Sequence, residues 1–458
     1  MAKKAKRPDN GMDAPEARRI VVADGYGCVD ELFQIAADDV ATKIGKQDVI
    51  YTETDPLECL PLPSLAMRYL MATTGLLFGK LYQLAGIEAT YKSTMAAEWA
   101  LWHRYCGGRG VLCAAESKDN DQLRNGLFDY KTEWLRVHDC GSANTWQKYN
   151  TFYVTNYKKQ CSMSGGPGRT IPFALITDSI TGKATDETIK QIMETGSAGK
   201  GFPDLANMLT KYCQAFPQML MGWPINWIGV NHLKKSLSID DPEPKIPGGQ
   251  ELYHQSAAII EMSRGKTDER SNCILREVSM RTIKNTYGQD KRRIRVSLRI
   301  WDQKDAEQVV RTYCRWEWWA ASIELLHGDF FAKAAAERIM PKIKEIVNIQ
   351  EKSGGNYGKL YYASAMGVTK DSAMPAHDLG MLLESRLDLL KDLYAVLGVT
   401  RRTMHAPSVA FISRQFPALA YHAQQEQANI EIMRAQAALG AGQAAAPILR
   451  PGGGADAE

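Results

Sequence analysis

Residues Gly86, Ile87, Glu88, Ala89, Thr90, Tyr91, Lys92, Ser93 and Thr94 read Gly-x-x-x-x-Tyr-Lys-Ser-Thr. A lysine and a hydroxyl at this distance from a glycine can cradle phosphate. Backbone N–H groups surround the oxygens, the lysine reaches the β- and γ-phosphates, and the hydroxyl holds magnesium. Tyr91 stands where a second glycine would complete the pattern. A tyrosine there is compatible with a phosphate cradle only if its backbone stays outside the φ > 0 region, where a bulky side chain is disfavoured. Three apolar runs further on end in polar groups: "RGVLCAAE" in Glu116, "IPFALITD" in Asp178 and "PINWIGVNH" in His232. One carboxylate can hold a magnesium shell, another can polarise an attacking water, and an imidazole can donate a hydrogen bond to a γ-phosphate. Any one of them alone is more commonly a strand-end polar residue meeting solvent. Together and in order they make a candidate site.

Such groups act together only if the fold gathers them. "GKLYQLA" reads as a short apolar strand, and "KSTMAAEWALWHRYCGG" as a helix ended by glycines, with Met95, Trp99, Trp102 and Cys106 as its buried stripe. Strand, loop and helix N-terminus in that order bring N–H groups and the positive dipole end to one point. From about residue 66 to Trp301, apolar strands alternate with helical patterns, which predicts an α/β domain around a mostly parallel sheet. The C-terminal strand ends then share one edge, where ligands bind in open α/β folds.

The prolines of "PLECLPLPS" set off an N-terminal segment, 1–65, expected to serve oligomerisation, from a core spanning 66–303. Within the core, "LREVSMRTIKNTYGQDKRRIRVSLRI" predicts two strands around a Tyr-Gly turn. Ile294, Val296, Leu298 and Ile300 face one way there, and Arg293, Arg295 and Arg299 the other. Residues 304–423 read as a helix-rich domain. Val309, Tyr313, Trp316, Ala320 and Ile323 fall at helical spacing, as a core-facing stripe, with a stacking platform for bases as the less common alternative. Residues 424–458 continue as a helical stretch and then a tail, "LGAGQAAAPILRPGGGADAE", too poor in packable side chains to fold.

Of the 458 residues, 45% are apolar and 24% charged, as in a globular protein. The net charge of +4 is too small to announce nucleic-acid binding, which must come from local clusters. No apolar run approaches the length of a bilayer span, and the basic start "MAKKAKR" leads into polar sequence. A cytoplasmic protein without signal peptide or membrane anchor is expected. The nine cysteines are scattered singly, without a Cys-x-x-Cys pair, as reduced thiols packed like small hydrophobes would be. That pattern gives no support for a zinc-type site.

The chain resembles the RecA family of strand-exchange ATPases, most closely its phage branch, the UvsX-like recombinases. The resemblance covers about residues 66 to 300 and rests on "AGIEATYKST", "CAAES", "LITDSITG", "WIGVNH" and the glycine pair Gly248–Gly249 in "KIPGGQELYHQSAAIIEMSRG". The phage branch also tolerates an aromatic before the lysine and carries Asn-His where bacterial members have Asn-Gln. The resemblance implies a RecA-like P-loop core that binds ATP and Mg2+ through the residues from Gly86 to Thr94. It implies Ser93 and Asp178 at the metal, and Lys92, Glu116 and His232 in catalysis.

It further implies two DNA-binding loops. The first, about residues 182–203, carries Lys183, Lys190 and Lys200. The second, about 233–250, carries Lys234, Lys235, Lys245, Gly248 and Gly249. Without the resemblance, both read as solvated loops. Arg281 and Lys284 match the family's basic residues that reach a neighbouring subunit's nucleotide. The implied partners are single-stranded DNA, a homologous duplex, further copies of the chain in a helical filament, and mediator or single-strand-binding proteins. Two other readings stay open: a hexameric helicase or loader motor on the same fold, and a DNA-coating filament whose ATPase has decayed.

Overall fold

Four central strands are apolar on both sides, and such strands are stable only where both faces of a sheet are covered. They are β3 (Lys80–Gly86), β4 (Arg109–Ala114), β6 (Phe173–Asp178) and β7 (Ile225–His232). The computed structural model describes residues 58–115, 135–163, 171–197, 204–233, 246–304, 308–327, 348–349, 360–361, 380–381, 384 and 387–415. All belong to one unit, Leu57–Asn429. Glu116, Lys200, Lys234, Lys235 and Lys245 lie outside the described residues, as do residues 1–57 and 416–458.

The remaining strands of the main sheet are β5 (Leu135–Asp139), β8 (Ser256–Arg270), β9 (Cys273–Asn285), β10 (Arg293–Lys304) and β11 (Val310–Trp316). With β3, β4, β6 and β7 they form a mixed nine-stranded sheet in the order β11-β10-β9-β8-β3-β7-β6-β4-β5. From β5 to β8 the neighbours are parallel; from β8 to β11 they are antiparallel. Two short strands, β1 (Cys59–Pro61) and β2 (Gly75–Leu77), pair separately.

Helices cover both faces. On one lie α1 (Leu65–Met71), α2 (Lys92–Tyr105), α7 (Trp318–His327), α8 (Leu387–Leu397) and α9 (Ala406–Gln415), packed over Tyr82, Leu84, Ile176 and Val230. On the other lie α3 (Ala143–Met163), α5 (Asp204–Leu220) and α6 (Gly249–Gln255), over Leu81, Leu175 and Trp227. Met95, Trp99, Trp102 and Cys106 form the expected buried stripe of α2. The chain from β3 thus leaves to one face and the chain from β6 to the other, which opens a crevice at the strand ends.

Two expectations fail. Val309, Tyr313 and Trp316 do not lie on a helix: Val310–Trp316 is β11, paired antiparallel with Leu298–Lys304, and Val309 is exposed. The run from Val310 to Trp316 is rich in β-branched and aromatic residues, and the free edge of β10 recruits it over its 3.6-residue pattern. Residues 182–203 are not one long loop either, because they contain α4 (Asp186–Thr195). Thr185 caps this helix by accepting the Thr188 N–H at 3.2 Å, and Asp186 and Glu187 complement its dipole. β10 runs across position 303, where the helix-rich domain is expected to begin. Among the described residues no helix is long and apolar enough to cross a membrane. The described cysteines are free thiols, and all but Cys314 are buried.

Candidate functional site

Register places the candidates on one edge of the sheet. Gly86, the last residue of β3, pairs with His232, the last of β7. Asp178, the last of β6, lies between Val230 of β7 and Ala114 of β4. The Ala115 N–H donates to the Asp178 carbonyl at 2.5 Å, so the chain leaving β4 towards Glu116 is tied to the end of β6.

The loop from Gly86 to Ser93 is held from within. A Cβ on Gly86 would sit 2.5 Å from the Met262 carbonyl oxygen and 2.6 Å from Thr90 Oγ1, so only glycine lets β8 and the loop approach this closely. Thr90 Oγ1 donates to the Ile87 carbonyl at 2.9 Å. Lys92 Nζ donates to the same carbonyl at 2.6 Å and reaches Thr90 Oγ1 at 3.4 Å. Lys92 is only 5% exposed, so its ammonium lies in the fold of the loop. Ile87, Glu88 and Ala89 are exposed at the rim, and Ser93 and Thr94 are half-buried in the first turn of α2.

The condition that Tyr91 keep its backbone outside the φ > 0 region is not met. The Tyr91 backbone is left-handed, φ 63° and ψ 26°, and Ala89 is left-handed too at φ 56°. The turn into α2 demands that conformation, and the Tyr91 ring packs against the main core, which offsets part of the strain. An L-residue held there costs about 1–2 kcal/mol. Tyr91→Gly and Tyr91→Val both lose the ring, but only valine keeps the backbone strain. Tyr91→Val is therefore expected to be less stable than Tyr91→Gly by about 1–2 kcal/mol in denaturant unfolding. Equal stabilities would mean that the turn relaxes when the ring is gone.

A buried amide ties the site to its surroundings. Asn231 Nδ2 donates to Gln83 Oε1 at 3.2 Å and to the Pro247 carbonyl at 2.9 Å. Asn231 Oδ1 accepts from Thr181 Oγ1 at 2.8 Å and from the His232 N–H at 2.9 Å. Gln83 in turn donates to Ser256 Oγ at 2.5 Å and to the Leu252 carbonyl at 3.1 Å. One side chain thus joins β3, β7, the turn after β6 and the segment entering α6. Sequence reading places Asn231 beside His232 but gives no sign of this connection, because its partners lie far apart in the chain.

The remaining candidates are more dispersed. Arg281 binds Glu261 on β8 through Nε at 2.9 Å. Lys284 Nζ donates to the Tyr253 and His254 carbonyls at 2.9 and 2.6 Å, closing the C-terminal end of α6, and lies over the Tyr253 ring. Burial lowers its pKa, against a smaller opposite effect from Asp290. Lys190 is exposed and pairs with Glu194 one helical turn on, at 3.7 Å. Lys183 is half-buried, and its charge lowers the Cys140 pKa as a smaller contribution beside that of Cys113. Gly248 and Gly249 both have positive φ, 111° and 86°, and a Cβ on Gly248 would strike Leu252 at 2.6 Å.

The donors fit the ligands implied by the sequence. Ser93 and Asp178 offer hard oxygens of the kind magnesium takes. The Gly86 loop opens onto a helix N-terminus suited to phosphate. Beside Asp178, the buried Ser179 hydroxyl has no hydrogen-bond partner among the described residues. No protein-family model matches the chain, and no curated protein matches it.

Proposed function

We propose that the chain is an ATP-dependent DNA recombinase: an ATPase that polymerises on single-stranded DNA and pairs it with a homologous duplex. The observation that carries this reading is the meeting of the Gly86–Thr94 loop, Asp178 and His232 at one edge of a mostly parallel sheet. Lys92 would bind the β- and γ-phosphates, and Ser93 and Asp178 would hold magnesium. Bound there, magnesium neutralises phosphate charge. Glu116 would orient the attacking water, and His232 would donate to the γ-phosphate. Asn231 gives His232 a route to the second loop, through the Pro247 carbonyl. Arg281 and Lys284 would serve a neighbouring subunit only after giving up Glu261 and the end of α6.

Phosphate release measured with and without single-stranded DNA, beside electron microscopy of the same samples, tests the reading. DNA-stimulated release together with helical filaments is expected. Closed rings would favour a helicase or loader motor, and filaments without release a decayed ATPase. For the second loop, Lys234→Ala with Lys235→Ala is expected to weaken single-strand binding. The slope of log affinity against log salt should shrink by about 0.7 for each phosphate that is no longer neutralised. An unchanged slope would leave these lysines as solvated charges.

A further inference from the structure

Two of the scattered cysteines meet in the fold. Cys113 lies on β4 opposite His138 of β5, and Cys140 comes two residues after His138, just past the last pair, Ala114 with Asp139. Alternate residues of a strand share a face, so both side chains enter the core that holds Trp146 of α3 and Cys213 of α5. Cys113 is fully buried and Cys140 is 3% exposed. Their thiols are hydrogen-bonded to each other, with Cys113 as the donor. That bond holds the Cys140 thiol below its ordinary range, against burial and Asp139, with Lys183 adding a smaller downward effect. It holds the Cys113 thiol above its range, where burial acts in the same direction.

Neighbouring strands lie about 4.8 Å apart and rise about 3.3 Å per residue, so positions two residues out of step are about 8 Å apart at Cα. A disulfide needs about 4.4–6.8 Å. Closing this pair therefore draws Cys140 towards β4. Cys140 stands outside the strand ladder, and a Cβ on Gly141 after it would meet nothing within 4 Å among the described residues. Two bonds oppose the movement. The Cys140 N–H donates to the Ala114 carbonyl at 2.9 Å, and the Cys113 thiol donates to Asn150 Oδ1 at 3.5 Å. Asn150 Nδ2 in turn donates to Thr177 Oγ1 at 3.1 Å, one residue before Asp178. The Cys140 sulfur also lies 3.6 Å from the His138 carbonyl oxygen.

We propose that Cys113 and Cys140 are a redox pair, joined in a disulfide by hydroperoxides, whose closure loosens the end of β4 beside Asp178. The Cys140 sulfur attacks one peroxide oxygen. An S–O bond forms, the O–O bond breaks, and the leaving oxygen takes up the proton that the thiol gave. The Cys113 sulfur then attacks the sulfenic sulfur, an S–S bond forms, and water leaves with the Cys113 proton. Two thiols lose two electrons in all, and the peroxide takes them. Closure stretches the bond from Cys140 to Ala114 and takes the Cys113 donor from Asn150 Oδ1, leaving a buried acceptor without it. Asn150 then no longer holds Thr177 as before. With the nucleotide site proposed above, this slows phosphate release. That last consequence rests on the ATPase reading; the disulfide and the loosening do not.

In the test, reduced full-length protein is treated with hydrogen peroxide, its remaining thiols are alkylated, and a digest made without reductant is read by mass spectrometry. A linked pair of Cys113 and Cys140 peptides from one chain is expected, and dithiothreitol should separate them. The link should form before Cys314, the more exposed thiol, is oxidised. Cys113→Ser should stop at a sulfenic acid on Cys140, trapped by dimedone, and Cys140→Ser should leave Cys113 reduced. Amide exchange reads the backbone. The Cys140 N–H should exchange roughly 5- to 10-fold faster after oxidation, as loss of one hydrogen bond implies. Linkage to other cysteines, linkage between chains, or earlier oxidation of Cys314 overturns the pair. So does a sulfenic acid that gathers on Cys113 in Cys140→Ser. A linked pair with unchanged exchange overturns the loosening. If a serine variant fails to fold, the linked peptides and the exchange of the wild-type protein decide. Phosphate release should fall on oxidation and recover on reduction; normal release from linked protein overturns control of the site. Reduced protein that releases no phosphate at all would sink the ATPase reading, while linkage and exchange still decide on the pair.

Discussion

Lys92→Ala is expected to abolish ATP binding and hydrolysis together. Lys92 is the only cation between Gly86 and Thr94, and Glu88 is the only other charge in that stretch. Its ammonium already lies in the fold of the loop, on the Ile87 carbonyl. Removing it takes away the charge that would meet the β- and γ-phosphates and also a brace of the loop itself. Lys92→Arg separates these roles, since it keeps the charge but replaces a compact ammonium with a larger planar group. Fluorescent-nucleotide titration and phosphate release are the readouts, with circular dichroism to confirm folding. Wild-type nucleotide affinity in Lys92→Ala would remove the central support of the proposed function.

Glu116→Gln is expected to give the opposite division: nucleotide binding kept, turnover lowered by on the order of a hundredfold or more. The isosteric amide preserves size and polarity but cannot accept a proton from water. Ala115, one residue before it, donates its N–H to the Asp178 carbonyl at the end of β6. Single-turnover kinetics with pre-bound ATP isolate the step. A normal rate would show that Glu116 does not position the attacking water.

Much of the parallel half of the fold can be read from the sequence because β3, β4, β6 and β7 are largely apolar runs, whereas the edge strand β5, mostly exposed, carries no such run. "LITD" and "WIGVNH" carry the buried strand, its end and the candidate group in one stretch. The antiparallel half is harder. Trp316 satisfies both a helical and a strand pattern, and only pairing with Leu298 decides between them. Helix α4 is legible in Thr185-Asp186-Glu187, a capping signal outweighed by the polar composition around it. The left-handed Tyr91 runs against what its side chain prefers, because the turn into α2 sets the backbone there. The Cys113–Cys140 pair needs β4 and β5 as neighbours, so it appears only once their register is known.

Asn231 spends its side-chain amide entirely inside the protein, on bonds to three other segments and to its own neighbour on β7. Moving the segment at Pro247 away from β7 would leave an amide hydrogen of Asn231 without its acceptor, and shifting β3 would do the same through Gln83. Each buried polar group left without a partner costs about 1–3 kcal/mol. Fraying at one of these places therefore strips partners from the others, and local opening here involves several strands at once. The entrance to α6, near the surface and next to Gly248, should consequently open as rarely as the centre of the sheet, and not with the ease of an ordinary surface turn.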